Sequence, residues 1–315
     1  MERRTFAAVV AFAAFTLLAS LPAAAQETFR TPWGDPDLQG VWTGSTLTPL
    51  ERPARFAGQE LLTEEQAAEL EMRADATRFV EREVREGDPG TYNQIWFDPG
   101  LRTVPDRRTA LIVDPPDGRY PPLTESARQA DRERAAYRRE HMYDSYENRS
   151  TGDRCIVFGK SGPPIRSGGY NNNLMIFQTA DHVVILTEQA RQARMIPLED
   201  TEKPAFEQWA GVSRGRWEGE TLVVETTQIR DWGNGRNGPS VHLVERLTRL
   251  DPDTVAYEYT LTDPERYTAP YTVMMPFRRM EGEIYEYACH EGNIGLYGIL
   301  AGARRFERDG RELRP

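Results

Sequence analysis

The chain has 315 residues, 28% of them charged, with 49 Asp and Glu against 39 Lys and Arg and a formal net charge of −10. An acidic surface of this kind repels nucleic-acid phosphates and anionic head groups, which makes both poor partners. The length suffices for one domain with a large core or for two modest ones.

Residues 1–25 read as a secretory signal peptide: Arg3 and Arg4, an apolar run from Phe6 to Leu21, and the small-residue exit Ala23-Ala24-Ala25. Removing it makes the net charge one unit more negative. No membrane span is expected, because no stretch reaches ~20 apolar residues, so the mature protein is expected to be periplasmic or secreted.

From Gln26 to Ser150 the chain is rich in Pro, Gly and charge, which predicts a loop-rich region wrapping the rest of the molecule. Two helices are expected in it. The first opens at the capping-box pattern Thr63-Glu-Glu-Gln66 and runs to about Glu86, before Gly87 and Pro89; the second runs from near Thr124 to about Tyr143. Between them Thr109 to Asp114 reads as a short buried strand, ended by the turn Pro115-Pro116-Asp117-Gly118.

Residues 151–315 are expected to form an antiparallel β domain, in one structural unit with 26–150. Its strands are Leu174 to Gln178, His182 to Glu188, Ala193 to Pro197, Arg214 to Trp217, Thr221 to Ile229, Val241 to Leu250, Thr254 to Thr262, Tyr271 to Met280, Ile284 to His290 and Gly302 to Phe306. Tight turns at Glu218-Gly219, Pro252-Asp253 and Glu281-Gly282 demand antiparallel neighbours. The fold class is therefore mainly β: a meandering, lipocalin-like antiparallel barrel, or a sandwich, with the N-terminal extension and its two helices.

On a half-buried strand, a carboxylate sharing the apolar face is the informative residue. Glu245 shares its face with Val241, Leu243 and Leu247; Glu188 ends the face of Val184 and Leu186; Glu286 and His290 share a face with Ile284 and Ala288. If these faces line a barrel, Glu188, Glu245, Glu286 and His290 converge with Arg194 on a polar cavity. Burial and a nearby arginine push carboxylate pKa values apart, the separation general acid/base chemistry needs. A bland alternative is that inward Glu and Arg only satisfy one another. Tyr170, Trp217 and Tyr287 are the further candidates for substrate contact. The tryptophans Trp33, Trp42, Trp96, Trp209, Trp217 and Trp232 fall mostly in loops or at strand ends, where they either pave a ligand mouth or plug the barrel.

Cys155 and Cys289 are the only cysteines. In an exported chain they are expected to form a disulfide, the alternative being a Cys289 nucleophile beside His290, which opposite-facing neighbours on a strand disfavour. His141, His182, His242 and His290 are scattered and no HExxH is present, so no metal is expected; no GxSxG, GxGxxG or P-loop pattern occurs, and no cofactor is expected.

Several blocks carry a resemblance: Pro36-Asp-Leu-Gln-Gly-Val-Trp42, Ile112-Val-Asp-Pro-Pro-Asp-Gly118 with Pro121-Pro-Leu-Thr124, Arg154-Cys155, Ser213-Arg-Gly-Arg-Trp-Glu-Gly219 with Thr221-Leu-Val-Val224, and Tyr285-Glu-Tyr-Ala-Cys-His-Glu-Gly-Asn293. Together they resemble a broad family of exported bacterial hypothetical proteins, over nearly the whole mature chain. The resemblance implies a periplasmic location and a single architecture, and transfers no catalytic residue. The expected function is a cofactor-independent acid/base enzyme (lyase, isomerase or hydrolase) acting on a small organic or saccharide-like substrate. The rivals are a non-catalytic lipocalin-like carrier of an apolar ligand, with Tyr257, Tyr259 and Leu261 in its lumen, and an envelope interaction protein.

Overall fold

The computed structural model describes residues 29–80, 97–199, 202–231 and 238–310. The leader, Trp96 and Trp232 lie outside the described residues; the first expected helix, read to about Glu86, is corrected, since it ends at Thr77 with a turn at 78–79. Among the described residues, no helix is long and apolar enough to cross a membrane.

Ten antiparallel strands form one sheet: β1 (Gly40–Thr43), β2 (Ile112–Asp114), β3 (Asn173–Gln178), β4 (His182–Thr187), β5 (Ala193–Pro197), β6 (Val212–Glu218), β7 (Thr221–Thr227), β8 (His242–Asp251), β9 (Thr254–Thr262) and β10 (Tyr271–Arg279). Nine of them run in the order β5-β4-β3-β1-β10-β9-β8-β7-β6, and β2 pairs with β10 beside this path. The sheet rolls into a nearly closed barrel. Its two edge strands meet through side chains: Arg194 on β5 donates from Nε to Ser213 Oγ on β6 at 2.8 Å, and a Cβ on Gly215 would lie 2.9 Å from Ile196. Side chains thus cover the two edges, although β5 and β6 do not pair through their backbones. Two local meanders, β3 to β5 and β6 to β10, are joined by β1, which the N-terminal region inserts between β3 and β10.

Alternation along the strands selects the lumen face. Leu243, Glu245 and Leu247 of β8, Val255, Tyr257, Tyr259 and Leu261 of β9, and Tyr271, Val273, Met275 and Phe277 of β10 are all buried. Trp42 on β1 is fully buried and donates from Nε1 to Leu38 O at 3.0 Å; Tyr257 stacks on Phe277 with centroids 4.6 Å apart. The lumen is also entered from outside the sheet, since the segment Ser161-Gly162-Pro163-Pro164-Ile165, before β3, is buried throughout.

The helices α1 (Glu64–Thr77) and α2 (Glu125–His141) lie outside the barrel wall. α1 starts with both capping-box bonds, Gln66 N to Thr63 Oγ1 at 3.2 Å and Thr63 N to Gln66 Oε1 at 2.9 Å. In α2 the Thr124 hydroxyl accepts from Ala127 N at 3.1 Å.

Two expected strands are corrected. Residues 284–290 form irregular chain, because both flanks of β10 are already occupied, by β9 on one side and by β1 and β2 on the other. The stretch expected as a strand from Gly302 to Phe306 lies within α3 (Ile294–Arg308), whose N-cap Asn293 accepts from Leu296 N at 3.1 Å. Leu296, Leu300, Ala301 and Ala303 are strong helix formers, and here they outweigh the short apolar run.

Candidate functional site

Two arginines enter the barrel, and their surroundings differ. Arg194 meets Glu245 in a bidentate ion pair, with Nη1 donating to Oε1 at 3.0 Å and Nη2 donating to Oε2. Arg194 also donates to Ser213 Oγ and to Thr226 Oγ1, each at 2.8 Å, and those two hydroxyls lie 2.9 Å apart. Tyr257 Oη donates to Glu245 Oε1 at 2.7 Å and accepts from Ile165 N at 3.0 Å. Glu245 is 0% exposed, with both oxygens engaged. Against Arg194, among the described residues, lies a void of about 10 Å³, on the order of a single water. A carboxylate so occupied accepts from three donors, two of them on one oxygen, and has little room for a substrate at its side.

Arg166 lies at the end of the lumen-entering segment. Its neighbours in electrostatic contact are Tyr259, Tyr271 and Tyr120, and it makes no ion pair with any described carboxylate. Arg166 Nε and Tyr259 Oη are sealed from solvent with no hydrogen bond of ordinary geometry, and the two side chains lie within reach of each other. Burial pushes the phenols of Tyr259 and Tyr271 upward from their ordinary value, so both stay protonated.

These two groups line a cavity of about 220 Å³. Its position follows from the sheet: β1 pairs with β10 only at Arg278 and Arg279, and β2 pairs with it only around Thr272 and Val273. Between those pairings the segment after β1 crosses β10 without joining it. Gly44 permits the crossing, since a Cβ there would lie 3.3 Å from Met275 and 3.4 Å from Phe277. Leu47, Leu50, Leu111, Ile165, Val273 and Met275 supply an apolar wall, and Thr46, Thr48 and Ser167 add hydroxyls. Larger clefts lie outside the barrel. One, of about 620 Å³, carries Arg134 and Arg149, which are paired with Asp131 and Asp153.

The residues singled out from sequence are dispersed. Glu245 and Arg194 meet in the lumen. Glu188 is buried but begins the turn after β4, where its carboxylate accepts weakly from Asn173 N at 3.4 Å; the lumen face of β4 is Val183, Ile185 and Thr187, not Val184 and Leu186. Glu286 and His290 lie outside the barrel on irregular chain, with Glu286 61% exposed and paired with Arg191 at 3.1 Å. The expected convergence of four acid/base groups is corrected accordingly. Tyr287 packs edge-on against Phe158 outside the lumen, Tyr170 stacks over Lys160 Nζ at 4.4 Å, and Trp217 packs on the core. Cys155 and Cys289 form a disulfide. Sequence reading missed Arg166, which sits in a Pro/Gly segment with no periodicity. The available signal was on β9, where two inward tyrosines bring hydroxyls that need partners.

Lys160 Nζ is also sealed without a hydrogen-bond partner. Desolvation lowers its pKa to about 8, although Glu188 and Asp98 pull the other way. Below pH 8 the lysine is protonated in both folded and unfolded chains. Between 8 and the unperturbed 10.5 the unfolded chain holds the extra proton, so stability rises with pH across that window. Denaturant titrations at pH 7 and 9.5 are expected to show this gain in the wild type and not in Lys160→Met. Equal slopes would refute it.

No protein-family model matches the chain, and no relative is found among curated proteins. Among solved structures, a point mutant of the fluorescent protein UnaG is similar at 16% identity with a TM-score of 0.24, covering 42% of this chain and 86% of that one. The barrel assignment rests on the strand pairing itself.

Proposed function

We propose that this is an exported small-molecule binding protein that holds a ligand with a largely apolar body in the cavity beside β10. One observation carries the reading: the lumen's carboxylate is held by Arg194 and Tyr257 with little space beside it, while the sizeable space against the lumen wall is lined mainly by apolar side chains. Binding pockets combine such walls with a few placed polar groups. Acid/base catalysis by Glu245 has no support in this geometry. The disulfide is consistent with an oxidising compartment, as the leader-like N-terminus suggests.

Calorimetric titration of the mature chain with 2-naphthol tests the reading. Saturable 1:1 binding is expected. Ser167→Trp, a half-buried position on the cavity lining, should abolish it while leaving the melting temperature unchanged. Absence of binding by the wild type, or undiminished binding by the variant, refutes the assignment of this cavity.

A further inference from the structure

We propose that the cavity beside β10 is a carboxylate site, with Arg166 and Tyr259 receiving the head group of a small monoanionic ligand whose apolar body lies against Leu47, Leu111 and Met275. The inference deepens the binding reading and rests on it.

A guanidinium is charged at every relevant pH, and burying it without a counter-charge costs several kcal/mol. The barrel shows how its own fold meets that cost, because Arg194 has Glu245 together with two hydroxyls. Among the described residues Arg166 faces phenols and no carboxylate, and burial keeps those of Tyr259 and Tyr271 protonated and therefore neutral. Glu245, whose charge also reaches Tyr259, is already engaged by Arg194 and Tyr257. The chain carries an excess of carboxylates, yet no described one is placed here.

Two donors are left over at the same wall. Arg166 Nε and the hydroxyl of Tyr259, a residue 0% exposed, make no well-formed hydrogen bond and have only each other within reach, and both residues line the cavity. Water in the cavity can satisfy an N–H but brings no negative charge. A carboxylate supplies the charge and two acceptor oxygens, in the planar form a guanidinium fork matches. The volume bounds the remainder of the ligand: about 220 Å³ is below the ~300 to 1,000 Å³ of drug-sized pockets, which suits a one- or two-ring or short branched acid and excludes a long acyl chain folded inside.

The test compares 2-naphthoate with its neutral isostere 2-naphthamide by calorimetry. Wild type is expected to prefer the acid by about 10- to 100-fold, the range of a charge-assisted hydrogen-bonded pair. Arg166→Met should remove the preference while still binding the amide, and Tyr259→Phe should reduce it several-fold. Arg166→Met should also raise the melting temperature of the ligand-free protein, because it removes a half-buried charge that has no counter-ion among the described residues, so a folding defect is not expected to mask the result. Equal affinity for acid and amide in the wild type, or a preference that survives Arg166→Met, overturns the carboxylate site and leaves the binding cavity standing. Failure of both probes to bind overturns the cavity assignment itself.

Discussion

Glu245→Gln is expected to destabilise the protein by about 3–5 kcal/mol in urea denaturation, among the largest effects of any single substitution in the barrel. The side chain keeps its size, but Arg194 is left charged, buried and without a counter-ion, the costly outcome of breaking a buried pair. The adjoining Tyr257 hydroxyl, which donates to Glu245 Oε1 at 2.7 Å, faces an amide in place of a charge. Removing both charges has a different consequence. Arg194→Met with Glu245→Leu turns the node into packed apolar volume, and replacements of this type are often neutral or stabilising, so the double variant should recover most of the loss. The hydroxyls of Ser213, Thr226 and Tyr257 would then set the remaining deficit, at about 1–3 kcal/mol for each one left unpaired. A Glu245→Gln variant of wild-type stability would show that the pair contributes nothing to the fold and would reopen an acid/base role for the carboxylate.

The same operation on the other lumen arginine has the opposite sign. Arg166→Met is expected to stabilise the empty protein, because no carboxylate partner is stranded by the change. The two lumen guanidiniums, one buried and paired and the other half-buried and without a counter-ion, thus respond oppositely to one substitution, which separates a group that holds the barrel together from a group kept for a ligand.

How far this was legible in sequence depends on which interactions are local. The β8–β9 hairpin was, since strict alternation and the turn at Pro252-Asp253 leave one register, and Glu245 stood out by interrupting an apolar face. The burial of Arg194 follows once β5 is placed at the barrel edge. On β4 both faces are apolar, so alternation alone could not choose between Val183-Ile185-Thr187 and Val184-Leu186-Glu188. Residues 284–290 alternate as a strand should, but alternation says nothing of whether a sheet edge is free, and β10 has none to offer. β1 has four residues and becomes a barrel stave only through partners more than a hundred positions away. Arg166 is the extreme case: its role depends on a loop threading the lumen, and no period in Gly162-Pro163-Pro164-Ile165 announces that path.

Replacing both cysteines with serine is expected to cost about 4–5 kcal/mol of global stability, because the bridge closes a separation of 134 residues that contains every strand from β3 to β10. A local effect should accompany the global one. Between β10 and α3 the chain forms no strand, and besides the disulfide its contacts include Asn293 Nδ2 donating to Asp153 O at 2.8 Å, the edge-on packing of Tyr287 on Phe158, and the exposed Arg191–Glu286 pair. α3 adds bonds from Arg304 to the carbonyls of Tyr143 and Asp144 at 2.8 and 3.0 Å. Exposed pairs and single bonds of this kind hold a segment weakly. Without the bridge, residues 280–293 should lose hydrogen-exchange protection and become the first site of limited proteolysis, while β8 and β9 stay protected until global unfolding. The two readouts separate the entropic role of the link from its role as an anchor: a lowered denaturation midpoint with an intact tail points to loop closure alone, and a released tail with an unchanged midpoint points to anchoring alone. Neither change occurring would mean that the packing of 280–310 on the barrel, and not the covalent bond, holds the C-terminal segment in place.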